Sequence, residues 1–199
     1  KKTLDVLSKV IKDLNIKLKY VDLGGGFGIS YNKKDKQINL KNYAKLVCNF
    51  KKELNCNIIF EPGRSIVGNT GILVSKIQYI KKGLNKNFII IDAGMNDFMR
   101  TALYDAYHNI VPIIKTGKKS PEPIEFVGPI CETSCKFSKY KKYQKIKEGD
   151  LVAITDVGAY GFSLSSNYNT KPLIAEILAS KNNFKIIRKK QDLLKLINS

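Results

Sequence analysis

Arginine is scarce in a chain that is otherwise rich in positive charge. Of 35 basic residues only three are Arg, namely Arg64, Arg100 and Arg188, against a formal net charge of +18. Nucleic-acid sites rely on Arg for two-pronged phosphate and base contacts. An excess made of scattered Lys reads instead as a solvated surface, with no nucleic-acid partner expected. Lys pairs such as Lys81-Lys82 and Lys118-Lys119, and the run at residues 139–147, fit that reading. Conversely, an Arg retained against this bias is one whose planar fork is needed. Arg188 lies in a Lys-rich stretch and reads as surface. The chain has one His, His108, and four Cys with no C-x-x-C pairing, which leaves few ligands for a zinc site. A reduced, cytoplasmic setting is expected. No run reaches the roughly 18 apolar residues of a membrane span. The N-terminal residues show no signal-peptide layout and no initiator Met, so the expectation is a chain that starts inside a longer protein.

Hydrophobic residues make up 43% of the 199, enough for a domain with a core or for part of one domain plus a second. Leu4, Leu7, Val10, Ile11 and Leu14 recur at helical spacing, which predicts a helix over residues 3–14. Residues 18–23 read as a short buried strand running into Gly24-Gly25-Gly26. A polar loop is expected at 31–37. Tyr43, Leu46, Val47, Phe50 and Leu54 mark a second helix, and residues 57–60 a second strand ending in Glu61-Pro62-Gly63-Arg64. Residues suited to chemistry therefore stand just past each strand, where parallel β/α folds place their sites. After about residue 70 the pattern becomes mostly β, with strands expected at 71–80, 87–92, 124–127, 151–155 and 173–178. Residues 191–197 read as a weak terminal helix. The expected organisation is an incomplete α/β domain over residues 1–70 and a β domain over 71–199.

Each motif has two readings when taken alone. Gly24-Gly25-Gly26-Phe27-Gly28 is either a tight turn or a turn whose backbone N–H groups meet a phosphate. Glu61-Pro62-Gly63-Arg64 is either a helix start or a carboxylate beside phosphate-binding backbone. Arg100 and Tyr104, four apart after Asp92-Ala93-Gly94-Met95-Asn96-Asp97, share a helical face; they are either a surface Arg with a packed Tyr or a carboxylate site. In Gly128-Pro129-Ile130-Cys131-Glu132 the thiol is either packing or a reactive group, a proton donor or a nucleophile. Gly158-Ala159-Tyr160-Gly161 is either a turn or a phenol placed near a phosphate. His108 has no evident partner and reads as structural.

In this order the five motifs, with Ser165-Ser166-Asn167-Tyr168-Asn169 closing the last, resemble the pyridoxal-phosphate-dependent ornithine/diaminopimelate/arginine decarboxylases. Within that family the resemblance is to the diaminopimelate branch, and it covers nearly the whole chain. It implies the C-terminal end of an alanine-racemase-like β/α barrel followed by a mostly β domain. It also implies a homodimer with shared active sites and decarboxylation of meso-diaminopimelate to L-lysine. Gly25, Gly26, Pro62, Gly63 and Arg64 would hold the pyridoxal 5'-phosphate, with Tyr160 touching both cofactor and substrate. Glu61 would pair with the pyridine nitrogen. Arg64, Arg100 and Tyr104 would bind substrate carboxylate, and Glu132 the distal amino group. Cys131 would return a proton to the α-carbon.

Two departures stand out. The family's cofactor-linking lysine lies early in the barrel, and no lysine of this chain occupies that context, so the chain alone is expected to be inactive. The family also continues Cys-Glu-Ser with an Asp two places on, where this chain has Cys135. Related arginine, ornithine or carboxynorspermidine decarboxylases, and a non-catalytic cofactor-binding remnant, remain as alternatives.

Overall fold

The computed structural model describes residues 1–32, 35 and 38–198, so part of the loop expected at 31–37 lies outside the described residues. The chain divides into two compact units, Lys1–Val67 and Gly68–Ser199.

In the first unit, α1 (Lys2–Asp13) and α2 (Leu40–Leu54) flank β1 (Tyr20–Asp22) and β2 (Asn57–Ile59), which pair in parallel. The apolar stripe of α1 turns Ile11 inward against Val21, Phe50 and Cys56, with Leu4, Leu7 and Leu54 packed around them. Burial of a side chain such as Phe50 contributes about 1.5–3 kcal/mol. Asn39 caps α2 by accepting from the Asn42 N–H at 3.0 Å. The helix stops at Asn55, whose left-handed φ of 48° ends the ladder. The first strand is shorter and less buried than its apolar run predicts: only Val21 is covered, and Tyr20 and Asp22 are exposed. The reason is topological, because the sheet holds just these two strands among the described residues. A short helix, α3 (Arg64–Val67), closes the unit.

The second unit is built on a mixed six-stranded sheet. Its strands are β3 (Leu73–Lys81), β4 (Asn87–Ile91), β5 (Ile110–Pro112), β7 (Ile124–Val127), β8 (Lys136–Tyr140) and β10 (Leu151–Ile154), in the order β5-β10-β3-β4-β7-β8. β4 and β7 run parallel and the other pairs are antiparallel. Between β4 and β5 lies α4 (Arg100–Tyr104). A small pair, β6 (Lys119–Ser120) with β9 (Tyr143–Gln144), sits outside the main sheet. Ile77, Ile89, Ile91, Phe98, Ile110, Phe126, Val152 and Ile154 form its buried core. The Lys-rich run at 139–147 is not plain surface. Its lysines face outward, but Tyr143 is buried, and Tyr140 accepts from the Ile110 N–H at 2.6 Å. Burial raises both phenols well above their ordinary pKa.

A hairpin of β11 (Glu176–Ser180) and β12 (Asn183–Arg188) and a terminal helix, α5 (Leu193–Ile197), complete the unit. The strand expected from residue 173 begins three residues late. Leu173 is engaged elsewhere: its N–H donates to the Gln191 side chain at 3.0 Å and its carbonyl accepts from the Gln191 N–H at 2.9 Å.

Candidate active site

In the first unit the two post-strand turns are locked to one another. Asp22 accepts from the Gly24 N–H at 2.7 Å, and the Glu61 N–H donates to the Gly24 carbonyl at 2.9 Å. Gly24 and Gly26 hold φ of +66° and +80°, a region that strains any residue with a Cβ. A Cβ on Gly25 would strike the Glu61 carbonyl, so the turns approach backbone to backbone. Around Gly26 and Gly63 the space is open to 4 Å. α3 begins after Gly63, whose carbonyl accepts from Ile66 and Val67. The backbone N–H groups of Gly26, Gly63 and Arg64 donate to no backbone carbonyl among the described residues. Backbone N–H groups of this kind suit a phosphate ester. Glu61 and Pro62 are exposed on the same turn, and Arg64 lies 6.0 Å from the Tyr31 ring centroid.

In the second unit the Asp92–Asp97 turn follows β4 and leads into α4. Asp92 anchors it by accepting from Ser75 Oγ at 2.5 Å and from the Lys76 N–H at 2.9 Å. Asp97 accepts from the Gly94 N–H at 2.8 Å, while burial pushes its carboxyl above the ordinary range and that same bond works against the shift. The Asn96 carbonyl accepts from the Ser166 N–H at 2.9 Å, which ties the Ser165-Ser166-Asn167 motif to the turn.

This scaffold presents Arg100. The residue is 7% exposed, at the start of α4. Its guanidinium carbon lies 5.9 Å from the Tyr104 ring centroid and 5.5 Å from that of Tyr160. Tyr104 shares the helical face, as the four-residue spacing predicts, but is itself exposed. Tyr160 comes from a distant turn, where it adopts a strained left-handed φ of 60°. Three residues expected to contact substrate are therefore grouped by the fold.

His108, read from the sequence as structural, has partners that the sequence did not show. It is buried at 1% exposure, and its ring accepts from Arg100 Nε at 3.3 Å. The other ring nitrogen faces the Thr155 carbonyl at 3.0 Å, and Phe98 packs edge-on at 4.5 Å. Its burial lowers its pKa, helped by the Arg100 charge and opposed by the Thr155 bond and Asp156. Its singularity was the available signal, because the rarity argument applied to Arg holds equally for a lone His.

Cys131 and Glu132 are exposed in the turn after β7. That turn is fixed to the Asp92–Asp97 turn by Cys135, whose buried sulfur accepts from the Met95 N–H at 3.3 Å. Gly128 makes the close approach possible: a Cβ there would meet Cys135 Sγ at 2.5 Å and the Ala93 carbonyl at 2.7 Å. Cys135 thus fills its position with a hydrogen bond of its own. All four cysteines are free thiols. Arg188 also has a defined role, ion-paired to Glu176 at 2.6 Å and stacked 3.7 Å from the Phe162 centroid. Among the described residues no helix is long and apolar enough to cross a membrane.

Residues 6–158 match the family described as pyridoxal-dependent decarboxylase, C-terminal sheet domain. A diaminopimelate decarboxylase of Aquifex aeolicus is 41% identical over 88% of this chain and 41% of its own length. One from Haemophilus influenzae is 43% identical over 97% of this chain and 46% of its own length. The crystal structure of the Helicobacter pylori diaminopimelate decarboxylase complexed with L-lysine superposes with a TM-score of 0.85 at 41% identity, over 99% of this chain and 48% of that one. The diaminopimelate decarboxylase of M. jannaschi gives 0.87 at 37% identity, over 98% and 46%. The chain spans about half the length of the curated relatives it matches. A family match over most of its residues, joined to these likenesses of sequence and fold, makes the chain a member of the pyridoxal-dependent ornithine/diaminopimelate/arginine decarboxylase family.

Proposed function

We propose that the protein carrying this chain is a homodimeric, pyridoxal-phosphate-dependent enzyme that removes CO2 from meso-diaminopimelate to give L-lysine. The observation that carries this reading is Arg100, buried at the start of α4 beside Tyr104 and Tyr160. A planar guanidinium held by two rings suits a carboxylate. Diaminopimelate has a carboxylate and an ammonium at its distal end, so Arg100 and Glu132 can each meet one of them. Ornithine lacks the distal carboxylate, and a site built around an Arg selects against it.

The remaining roles follow the motifs. Gly25, Gly26, Pro62, Gly63 and Arg64 would hold the cofactor phosphate, Tyr160 would also contact the cofactor, and Arg64 would also help bind the substrate carboxylate. Glu61 keeps a proton on the pyridine nitrogen. When bound, pyridoxal phosphate supplies the sink for the electron pair released with CO2. Cys131 returns a proton to the α-carbon, acting from one subunit on the substrate held by its partner. None of the lysines in residues 1–199 is assigned the covalent link to the cofactor. In this reading residues 1–70 are the closing part of an alanine-racemase-like β/α barrel and residues 71–199 the β domain. The outer edges of the β1-β2 pair, with no strand beside them among the described residues, support the barrel.

The test is a substrate panel on the full-length protein with pyridoxal phosphate, reading CO2 and lysine. Turnover of meso-diaminopimelate well above ornithine and arginine is expected, and the opposite order would overturn the substrate assignment. Cys131→Ala should lower kcat roughly 10²–10⁴-fold, the range for loss of a proton-transfer group. An unchanged rate would remove Cys131 from the chemistry. The 199-residue chain by itself is expected to release no CO2.

A further inference from the structure

Nothing in the substrate-contact reading accounts for His108. Its two ring nitrogens face groups of opposite character. Thr155 O can only accept, so Nδ1 at 3.0 Å must carry a proton. Arg100 Nε can only donate, so Nε2 at 3.3 Å must offer its lone pair. The arrangement is consistent with one state alone, the neutral ring protonated at Nδ1. Phe98, edge-on at 4.5 Å, and the bond from Ser138 Oγ to the His108 carbonyl hold the residue in place.

We propose that His108 is the positioning residue of Arg100: in its neutral Nδ1–H form it fixes the plane of the guanidinium, and so sets affinity for the substrate's carboxylate. A guanidinium is rigid and flat, so a bond at Nε, with the rings of Tyr104 and Tyr160 nearby, constrains where its terminal NH2 groups point. Two-pronged carboxylate binding depends on that direction. Protonation of His108 replaces the lone pair with a second N–H and sets two cations 3.3 Å apart. Among the charged groups bearing on the ring are Arg100 from α4, which opposes protonation, and Asp156 after β10, which favours it. Substrate affinity should therefore fall as pH drops, without any titration of the substrate's carboxylates.

The inference rests on the assignment of Arg100 to a substrate carboxylate. It is tested on the full-length enzyme with variants at His108, a residue placed to contact neither substrate nor cofactor. His108→Leu removes the acceptor and should raise KM for diaminopimelate about ten-fold while kcat changes little, the loss expected for one hydrogen bond to a charged group. His108→Gln keeps an acceptor and a donor, and should restore most of the affinity. It should also abolish the rise of KM expected in the parent enzyme as pH falls below 6.5, the ordinary His value, toward the lowered value of the buried ring. An unchanged KM in a folded His108→Leu enzyme would overturn the proposal, as would a His108→Gln enzyme whose KM follows pH as the parent's does. If His108→Leu does not fold, the His108→Gln pH profile alone decides. A second readout is independent of turnover: the ring 15N shifts of His108 should report the Nδ1–H form, and Arg100→Met should raise its titration midpoint. If diaminopimelate is not turned over but the 15N behaviour holds, the substrate assignment has failed and the coupling of the two residues stands. If the midpoint does not move, the coupling itself fails.

Discussion

The two units solve the burial problem differently. The first wraps two helices around a pair of parallel strands and buries a small set of side chains, Ile11, Val21, Val47, Phe50 and Cys56 among them. The second has six strands in one sheet, and Ile77, Ile91, Phe98, Phe126, Val152 and Ile154 lose all contact with water. Both place chemistry-bearing residues on turns, but they hold those turns by different means. In the first unit the Gly24–Gly26 and Glu61–Gly63 turns are backbone against backbone. In the second, the Asp92–Asp97 turn is fixed by its own Asp92 and Asp97 carboxylates and by the side chains of Ser75 and Cys135. A small core can thus carry such a turn if the backbone itself holds it. A turn that must aim a buried Arg needs a larger, fully packed sheet behind it.

The sharpest way to break this comparison is to cut the same side chain from each core. Phe126→Ala should cost about 3–5 kcal/mol, and Phe50→Ala should fall at or below the bottom of that range. Urea melts with amide exchange read in each unit would show it. Equal losses would mean the smaller core is as tightly packed as the larger.

A second contrast concerns glycine. Gly128→Ala has no room, because its Cβ would meet Cys135 Sγ at 2.5 Å, and should cost about 1–3 kcal/mol by overpacking. Gly26→Ala has room but the wrong backbone, at φ +80°, and should cost roughly 1–2 kcal/mol. Thermal melts of the two variants, each with and without a compensating Cys135→Ala, separate the mechanisms. Only the Gly128 variant should recover, and only in part, because the Ala93 carbonyl at 2.7 Å remains. Smaller still, Asn39→Ala should remove about 1 kcal/mol through loss of the α2 cap. Urea midpoints should show that loss.

The mildest effect is on pH. Burial depresses the folded pKa of His108 below its ordinary 6.5, so below 6.5 the unfolded chain takes up more protons. Its contribution to stability is full above that value and is lost as pH falls through it toward the folded pKa. Asp97 runs the other way: its raised carboxyl makes stability decline as pH climbs from 3.8 toward its folded value. Urea midpoints taken across these windows should show both slopes, and His108→Gln should flatten the upper one only.

Much of this was legible in the chain. The helices α1 and α2 could be placed because helical spacing of Leu, Val, Ile and Phe is a local signal. The strands β3, β4, β7 and β10 could be placed because β-branched runs are bounded by Gly, Asn and Lys. The Arg100–Tyr104 pair followed from a spacing of four. The late start of β11 was not legible, since it turns on Gln191 competing for the backbone of Leu173. Nor were the strands β8 and β9 at the Lys-rich segment, where Phe137, Tyr140 and Tyr143 are masked by charge.

By itself the sequence determined the family, through the order of its motifs, and the local elements that carry them. Those depend on neighbours a few residues apart. Tertiary structure alone decided which distant residues meet: Tyr160 against Arg100, Cys135 under Met95, Ser166 on Asn96 and His108 between Arg100 and Thr155. These contacts join segments far apart in the chain, and a sheet of mixed direction brings them together. No periodicity encodes such meetings, because each depends on the register of several strands at once.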